Sequence, residues 1–350
     1  MKRLRRICLS IIVAACASTT ALADPPRNVA GSAFAANSPY ATDAYPGFDG
    51  LDDVKRPEKK EKGWFNWVDR DTAAEQFALA EEFEAAGAYR KARRAFDALV
   101  CEWPASPEAW RAQYRIVKIY EHEKDYDNAL EELEYLLDFY PSECPYLEMV
   151  EYLYQLTNLM VKEKKTMFGF SFTSDRIVRQ HYESVVRRAP RASYVPETML
   201  KIADLREQNN EYEEAVQVYN QLVMKFPKTT EADIAIYLQA KARMWLCRRL
   251  SYNIPRCQDT QKYLKMMIAD HPRHDRVDEM QEWLAELEKH LEADAYRRAK
   301  FYDTKQRTRH AAVASYEKFL SEYPDSSHAD EARARVTALN AAQTGGEKGK

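Results

Sequence analysis

The sequence predicts an all-α fold, a solenoid of about five to six stacked helical hairpins, and three observations support this prediction. Six prolines recur at the ends of helix-like segments between residues 104 and 324. Small, apolar or aromatic residues lie five, eight and twelve positions before each proline, and these spacings place them on one helix face. Glycine is scarce, with nine in 350 residues, so turns that depend on glycine contribute little.

The first 15 residues have the pattern of an export signal. Met1–Arg6 is basic, and a short apolar run from Ile7 to Ala15 follows it. A run of this length cannot cross a hydrocarbon core of about 30 Å as a helix. We therefore interpret residues 1–15 as a signal peptide.

Two cleavage sites compete after this apolar run. Val13–Cys16 resembles the lipobox of bacterial lipoproteins, in which Cys16 becomes the lipidated first residue of the mature chain. The next residue is Ala17 rather than Asp, which by the same resemblance implies anchoring at the periplasmic face of the outer membrane. Alternatively, Ala21–Ala23 fits an ordinary cleavage site ahead of Asp24, and the product would be soluble in the periplasm.

Residues 16–62 are predicted to form a disordered tether. They are rich in Ala, Pro, Ser and Asp, show no helical period, and end in a charged run. As a flexible coil this tether would reach about 35–40 Å on average. Trp64, Phe65 and Trp67 follow it, and they fit either a cap on the first repeat or an anchor for a membrane or partner.

The repeated unit is defined by its prolines. Six of them end predicted second helices: Pro104, Pro141, Pro190, Pro227, Pro272 and Pro324. In the first unit the three preceding positions are Ala92, Phe96 and Leu99, and similar residues precede the other prolines. Ala80 and Ala203 lie twenty-four residues before their prolines, where a small side chain lets two helices approach closely. In three units a tyrosine marks the turn between the helices: Tyr89, Tyr126 and Tyr212.

This order of residues resembles the tetratricopeptide repeat over residues 73 to about 340. Two proline intervals are 37 residues long and three are longer, at 49, 45 and 52. We expect the extra residues at 162–174, at 248–257 and in a long helix over 276–302. The sequence thus predicts N-terminal repeats over 63–190, C-terminal repeats and a capping helix over 191–341, and a disordered tail over 342–350.

The signal, lipobox, tether and repeats together resemble the BamD family of outer-membrane assembly lipoproteins. Two stretches carry the resemblance further, Met167–Asp175 with its alternating phenylalanines and Glu292–Tyr302 followed by Ala311–Asp325. The resemblance implies a non-enzymatic periplasmic scaffold whose partners are a BamA-like barrel insertase and unfolded segments of outer-membrane proteins. The chain departs from the family in having six units instead of five and extra residues at 247–258. A repeat protein of the Tol–Pal type, acting as an envelope organiser or cell-division accessory, is the alternative.

Five residues are candidates for partner binding. Phe168, Phe170 and Phe172 could form a partner-binding loop or fold back into the groove from which they emerge. The resemblance implies that the C-terminal repeats dock on the insertase, and Arg297 and Arg298 are the charged residues there that suit oriented docking.

Composition and motifs argue against other classes of function. No phosphate-binding glycine loop, metalloprotease motif or serine-hydrolase motif occurs, so we predict no enzyme activity and no cofactor. The pair His271 and His274 is interrupted by proline and fits a surface turn better than a metal site. The net charge of −3, near −7 after removal of the basic signal, argues against nucleic-acid binding.

Four cysteines remain after Cys8 is removed and Cys16 is lipidated, which is an even number in an exported protein. They are Cys101, Cys144, Cys247 and Cys257, and three pairings are possible. The short separation of Cys247 and Cys257 favours a disulfide between them.

Overall fold

A computed structural model describes residues 60, 68–166, 174–304 and 309–347, and these residues form thirteen helices joined by turns. The helices are α1 (Ala73–Ala85), α2 (Tyr89–Glu102), α3 (Ala109–His122), α4 (Tyr126–Phe139), α5 (Tyr146–Thr166), α6 (Asp175–Arg188), α7 (Val195–Gln208), α8 (Tyr212–Lys225), α9 (Thr230–Arg249), α10 (Ile254–Asp270), α11 (Val277–Asp303), α12 (Arg309–Glu322) and α13 (Ala329–Glu347). Each helix packs against the next along the chain, so that α1–α12 form six pairs, each with a first and a second helix. The predicted all-α repeat solenoid is confirmed.

Each second helix ends just before its proline for a local reason. Proline has no N–H and clashes with the preceding turn, so the helix stops there. The residue that precedes the proline still donates its own N–H to the carbonyl four residues back, as Trp103 does to Leu99 and Phe226 does to Leu222. The helix face predicted from the spacing is buried in all six units: Ala92, Phe96, Leu99; Ala129, Leu133, Leu136; Val178, Tyr182, Val185; Ala215, Tyr219, Leu222; Thr260, Leu264, Met267; Ala312, Tyr316, Phe319.

The turns between the helices of three pairs use a left-handed residue. Gly87, Lys124 and Asn210 have φ values of 72°, 59° and 62°, and each lies seventeen residues before its proline. The next residue donates its N–H to a carbonyl five residues back, for example from Ala88 to Phe83, which closes the end of the first helix. Glycine adopts this conformation without cost, whereas lysine does so with strain.

We expect Gly87→Ala to lower the free energy of unfolding by about 1 kcal/mol and Lys124→Gly to raise it by a similar amount. A Cβ atom at Gly87 would meet no atom within 4 Å, so the effect arises in the backbone alone. Lys124 also pairs with Glu163 at 3.2 Å, but this pair is exposed and its loss costs little. Urea denaturation measures both changes, and equal stability of Gly87→Ala and the unmodified protein would contradict the argument.

The extra residues expected at 248–257 lie at the junction of α9 and α10. The extra residues lengthen α9 to 20 residues and α10 to 17, and only a short turn over 250–253 separates the two helices. No Pro or Gly interrupts the end of α9. Asn253 caps α10 by accepting the N–H of Arg256, and Pro255 stands in the first turn, where no N–H is needed.

The C-terminal helices extend as far as predicted or further. The long helix expected over 276–302 is α11, and it is confirmed within one residue at each end. Helix α13 continues to Glu347, so the prediction of a disordered tail from residue 342 is wrong up to that point. Ala341, Ala342 and Gln343 are good helix formers and favour this continuation, whereas Gly345 and Gly346 in the last turn are poor ones.

Several predicted segments lie outside the described residues. These are the signal peptide, Cys16, the aromatic group Trp64, Phe65 and Trp67, and the phenylalanines Phe168, Phe170 and Phe172.

Lys60 is the described residue of the predicted tether, and it is held against the repeats. Its Nζ lies 2.6 Å from Oδ1 of Asp97 and 2.7 Å from Oε2 of Glu132. Burial disfavours the ammonium, but Glu132 and Asp97 outweigh this effect and raise the pKa of Lys60. The prediction of a disordered tether is therefore wrong at this residue.

Candidate functional site

A cleft of about 700 Å³ opens between α1 and α3, the first helices of the first two pairs. Ala80 of α1 and Ala112 of α3 are fully buried and belong to the same core cluster. The cleft is lined chiefly by Glu81, Glu84, Tyr89, Arg115, Lys118 and His122.

One ion pair crosses this cleft, and a second lies along α3. An Nη of Arg115 lies 2.8 Å from Oε2 of Glu84, which links α3 to α1. Nζ of Lys118 lies 2.5 Å from Oε2 of Glu121, and the hydroxyl of Tyr152 donates to the same carboxylate at 2.7 Å. Burial and the neighbouring Glu121 both raise the pKa of Tyr152, so this hydroxyl stays protonated as a donor.

An aromatic pair lies at the α1–α2 side of the cleft. The rings of Tyr89 and His122 are 4.6 Å apart, and the Tyr89 hydroxyl is 3.4 Å from Nε2 of His122. The cleft therefore combines a pair of aromatic rings with hydrogen-bond donors and acceptors. Such a combination suits an extended peptide better than a small polar molecule.

A related cluster lies between α5 and α7, the next first helices along the solenoid. Tyr154 stacks on Tyr194 with ring centroids 4.8 Å apart, and Nζ of Lys201 lies 4.8 Å above the Tyr154 ring. Lys201 also contacts Glu197 at 2.9 Å and Asn158 at 2.7 Å. The first-helix face thus repeats the same chemistry of tyrosine, lysine and glutamate beyond the cleft.

The cleft residues were not predicted from the sequence, although a signal was present. Glu81 and Lys118 both lie twenty-three residues before the proline of their unit, and Glu84 and Glu121 both lie twenty. Residues in one register of a stacked repeat face the same groove. Aligning polar as well as apolar positions by their distance to proline would therefore have brought these residues together.

Two buried glutamines also share one position in the repeat and were not predicted. Gln76 and Gln113 are fully buried in α1 and α3, and each lies twenty-eight residues before its proline. Their Nε2 atoms donate to the backbone carbonyls of Ala95 and Glu132 at 3.1 and 2.9 Å. Each glutamine therefore joins the two helices of its own pair and supports the walls of the cleft.

The predicted docking residues Arg297 and Arg298 lie on α11, which packs against α9, α10 and α12 and not against the cleft helices. Their side chains are 70% and 47% exposed. Both arginines contact Asp294, at 3.6 and 2.8 Å. They therefore form a charged surface of their own in the C-terminal repeats.

Cys247 and Cys257 are joined by a disulfide, with their Cα atoms 5.3 Å apart. The bond links the last turn of α9 to the first turn of α10, and both residues are buried in the core of the fifth pair. Cys101 and Cys144 are not part of this disulfide.

Reduction of this disulfide is expected to lower the free energy of unfolding by about 2–3 kcal/mol, the loop-entropy value for ten residues. Denaturation of the oxidised and reduced proteins measures the difference. A Cys247→Ala/Cys257→Ala variant separates the effect of the disulfide from any other effect of the reductant, because its stability should not respond to reductant. Free thiols at both positions in non-reducing peptide maps of the native protein would contradict the pairing.

His274, one of the two histidines predicted to lie in a surface turn, contacts backbone groups through both ring nitrogens. Its Nε2 lies 2.9 Å from the carbonyl of Asp233, and its Nδ1 accepts the N–H of Arg276 at 3.0 Å. Within the described ranges, no group of His, Cys, Asp and Glu side chains is arranged to hold a metal ion. No helix among the described residues has the length and apolar character needed to cross a membrane.

This chain is similar to solved repeat proteins at low sequence identity. A tetratricopeptide repeat protein from Parabacteroides merdae is 15% identical over 76% of this chain and 98% of its own, with a TM-score of 0.28. The pilF protein of Pseudomonas aeruginosa is 17% identical over 61% of this chain and 82% of its own, with a TM-score of 0.25. No curated protein sequence matches significantly. The model of the YfiO family, described as outer membrane lipoprotein, matches residues 69–208 and 176–346, so the chain belongs to the YfiO family of outer membrane lipoproteins.

Proposed function

We propose that this protein is a lipid-anchored periplasmic scaffold that assists the insertion of β-barrel proteins into the outer membrane. Its family and its helical-repeat fold support a role in protein interaction. The observation that carries the proposal is the cleft between α1 and α3, which lies within the part of the chain that matches the family model.

The cleft and the α5–α7 cluster would receive an extended segment of an unfolded barrel protein. Stacked first helices form a continuous groove in repeat proteins, and such grooves bind peptides. Tyr89 and His122 offer a surface for an aromatic side chain, while Arg115 and Lys118 can exchange their present carboxylate partners for those of a peptide. The groove would therefore hold a segment through both its side chains and its polar groups.

The C-terminal repeats would dock on the barrel insertase. Arg297 and Arg298 are exposed on α11, and surface charges of this kind contribute orientation and association rate more than affinity. Single substitutions of these arginines should therefore have mild effects, and their combined charge reversal should have a larger one.

Photo-crosslinking residues placed in intact cells test the two surfaces separately. We expect position 81 in the cleft to capture unfolded barrel proteins and position 297 to capture a large β-barrel assembly protein. Position 262 is the matched control, because Lys262 is 79% exposed on the second helix α10. It should capture neither.

Two outcomes would change the proposal. Barrel precursors captured at position 262 as efficiently as at position 81 would show that the cleft is not their site. Capture of peptidoglycan-associated proteins at positions 81 and 297, with no insertase, would favour the envelope-organiser function instead.

A further inference from the structure

Arg243 lies at the position in α9 that Arg206 occupies in α7. Each arginine lies sixteen residues after the proline that ends the preceding pair. Each also follows a fully buried alanine by three residues, Ala203 in α7 and Ala240 in α9. The two first helices are therefore in the same register, and equivalent positions on them face equivalent neighbours in the stack.

The carboxylates that hold Arg206 have no counterparts at Arg243. Arg206 contacts Glu183 of α6 at 2.8 Å and Glu211 at 3.4 Å. The next unit has an amide and an arginine thirty-seven residues after these two glutamates, Asn220 and Arg248. Among the described residues, no carboxylate forms an ion pair with the guanidinium of Arg243.

The guanidinium of Arg243 lies over an aromatic ring instead. Its Cζ is 4.7 Å from the centre of the Tyr263 ring on α10, and the Tyr263 hydroxyl donates to Oε1 of Gln239 at 2.7 Å, which fixes this ring against α9. Nε of Arg243 is buried and has no hydrogen-bond partner in the described part of the chain. Burial lowers the pKa of Arg243, and Tyr263 and Asp259 offset this effect only in part. A partly buried charge therefore lacks an acid of its own chain.

Exposed methionines lie on α8 and α10, the two second helices that pack against α9. Met224 of α8 is 73% exposed, and its Sδ accepts a hydrogen bond from Nδ2 of Asn220 at 3.5 Å. Met266 of α10 is 50% exposed and lies three residues after Tyr263, on the same side of the helix. Methionine is flexible and adapts to the shape of a binding partner. These residues define the Arg243 surface: Asn220, Met224, Arg243, Tyr263 and Met266.

We propose that the Arg243 surface binds an acidic side chain of a partner protein, with apolar residues on either side of that acid. A guanidinium presents parallel N–H donors that match the two oxygens of a carboxylate. The partner's carboxylate supplies the charge that Glu183 supplies to Arg206 in the preceding unit. Apolar neighbours of the acid pack on the methionines and exclude water, which strengthens the ion pair. The surface lies on α8, α9 and α10, apart from the cleft and from α11, so this inference does not rest on the proposed function.

Three probes test this binding in the purified full-length mature protein. The peptide acetyl-Leu-Glu-Leu-amide carries the acid and its apolar neighbours, acetyl-Leu-Gln-Leu-amide lacks only the charge, and acetate lacks the apolar neighbours. The glutamate peptide should bind on the order of tenfold more tightly than either of the others, because it alone makes both kinds of contact. The NMR signal of the Arg243 Nε–H group, followed during each titration, measures the three affinities at this surface.

A variant returns the missing carboxylate. Asn220→Glu should shift the Arg243 signal before any probe is added, and the glutamate peptide should then bind no better than the glutamine peptide. The matched control Gln281→Glu adds the same charge at an exposed position of α11 and should leave the preference unchanged. Thermal melting followed by circular dichroism shows that both variants are folded.

Three results would overturn the proposal. Equal affinities of the two peptides for the unmodified protein would show that Arg243 does not select a carboxylate. Acetate binding as tightly as the glutamate peptide would show a site for a free carboxylate rather than for a partner protein. An unshifted Arg243 signal in Asn220→Glu, or an unchanged preference for the glutamate peptide in that variant, would contradict the equivalence of Asn220 and Glu183.

Discussion

A Cys16→Ser variant is expected to leave the membrane fraction, either as released periplasmic protein or as unprocessed precursor. In the lipobox interpretation, the Cys16 thiol carries a diacylglyceryl group and its amino group carries a third acyl chain. Each buried CH₂ group contributes about 0.8 kcal/mol, so one chain binds reversibly, whereas two or more anchor a protein stably. A serine hydroxyl at this position removes all of this stabilisation.

Fractionation of cells followed by mass spectrometry of the mature N-terminus measures this effect. Cys8→Ser is the matched control, because Cys8 lies in the signal peptide and is removed with it. The Cys8→Ser variant should stay in the membrane fraction with a lipidated N-terminus. A mature chain that begins at Asp24 in the unmodified protein would contradict lipidation and favour the soluble periplasmic alternative.

The sequence predicts the fold well because one local rule repeats along the chain. Proline ends each second helix, and the residues at fixed distances before it must face the neighbouring helices. Tyr182 and Tyr219 illustrate this rule, since both lie eight residues before a proline and both are almost fully buried. Local stop signals and helical periodicity are sufficient to give such a pattern, and no long-range information is needed.

Features that depend on distant residues could not be predicted in this way. Arg115 pairs with Glu84, thirty-one residues earlier, and the pairing follows from the stacking of α1 and α3. Lys60 lies in a run that is charged and lacks periodicity, which is typical of disorder, yet Asp97 and Glu132 hold it in place. Composition indicates whether a segment can fold by itself. It does not indicate which surface of the protein the segment contacts.

A network of four charged side chains joins α6 to the α7–α8 turn. Glu183 is 4% exposed and contacts Arg206 at 2.8 Å and Arg179 at 3.7 Å. Glu211 pairs with the same two arginines. Burial raises the pKa of Glu183 by more than Arg206 and Arg179 lower it, so the ion pairs do not fully offset the loss of hydration of this carboxylate.

Glu183→Leu is therefore expected to lower the free energy of unfolding by about 3 kcal/mol, because it leaves Arg206 partly buried without its main partner. Glu183→Leu/Arg206→Leu should recover most of this loss, since it removes both charges and Glu211 still pairs with Arg179. The control is Glu286→Leu, which breaks an exposed pair with Arg248 and should cost less than about 1 kcal/mol. Urea denaturation of the unmodified protein, Glu183→Leu, Arg206→Leu and the double variant gives the coupling between Glu183 and Arg206. If the double variant is as unstable as Glu183→Leu, the loss comes from packing at this position and not from an unpaired charge.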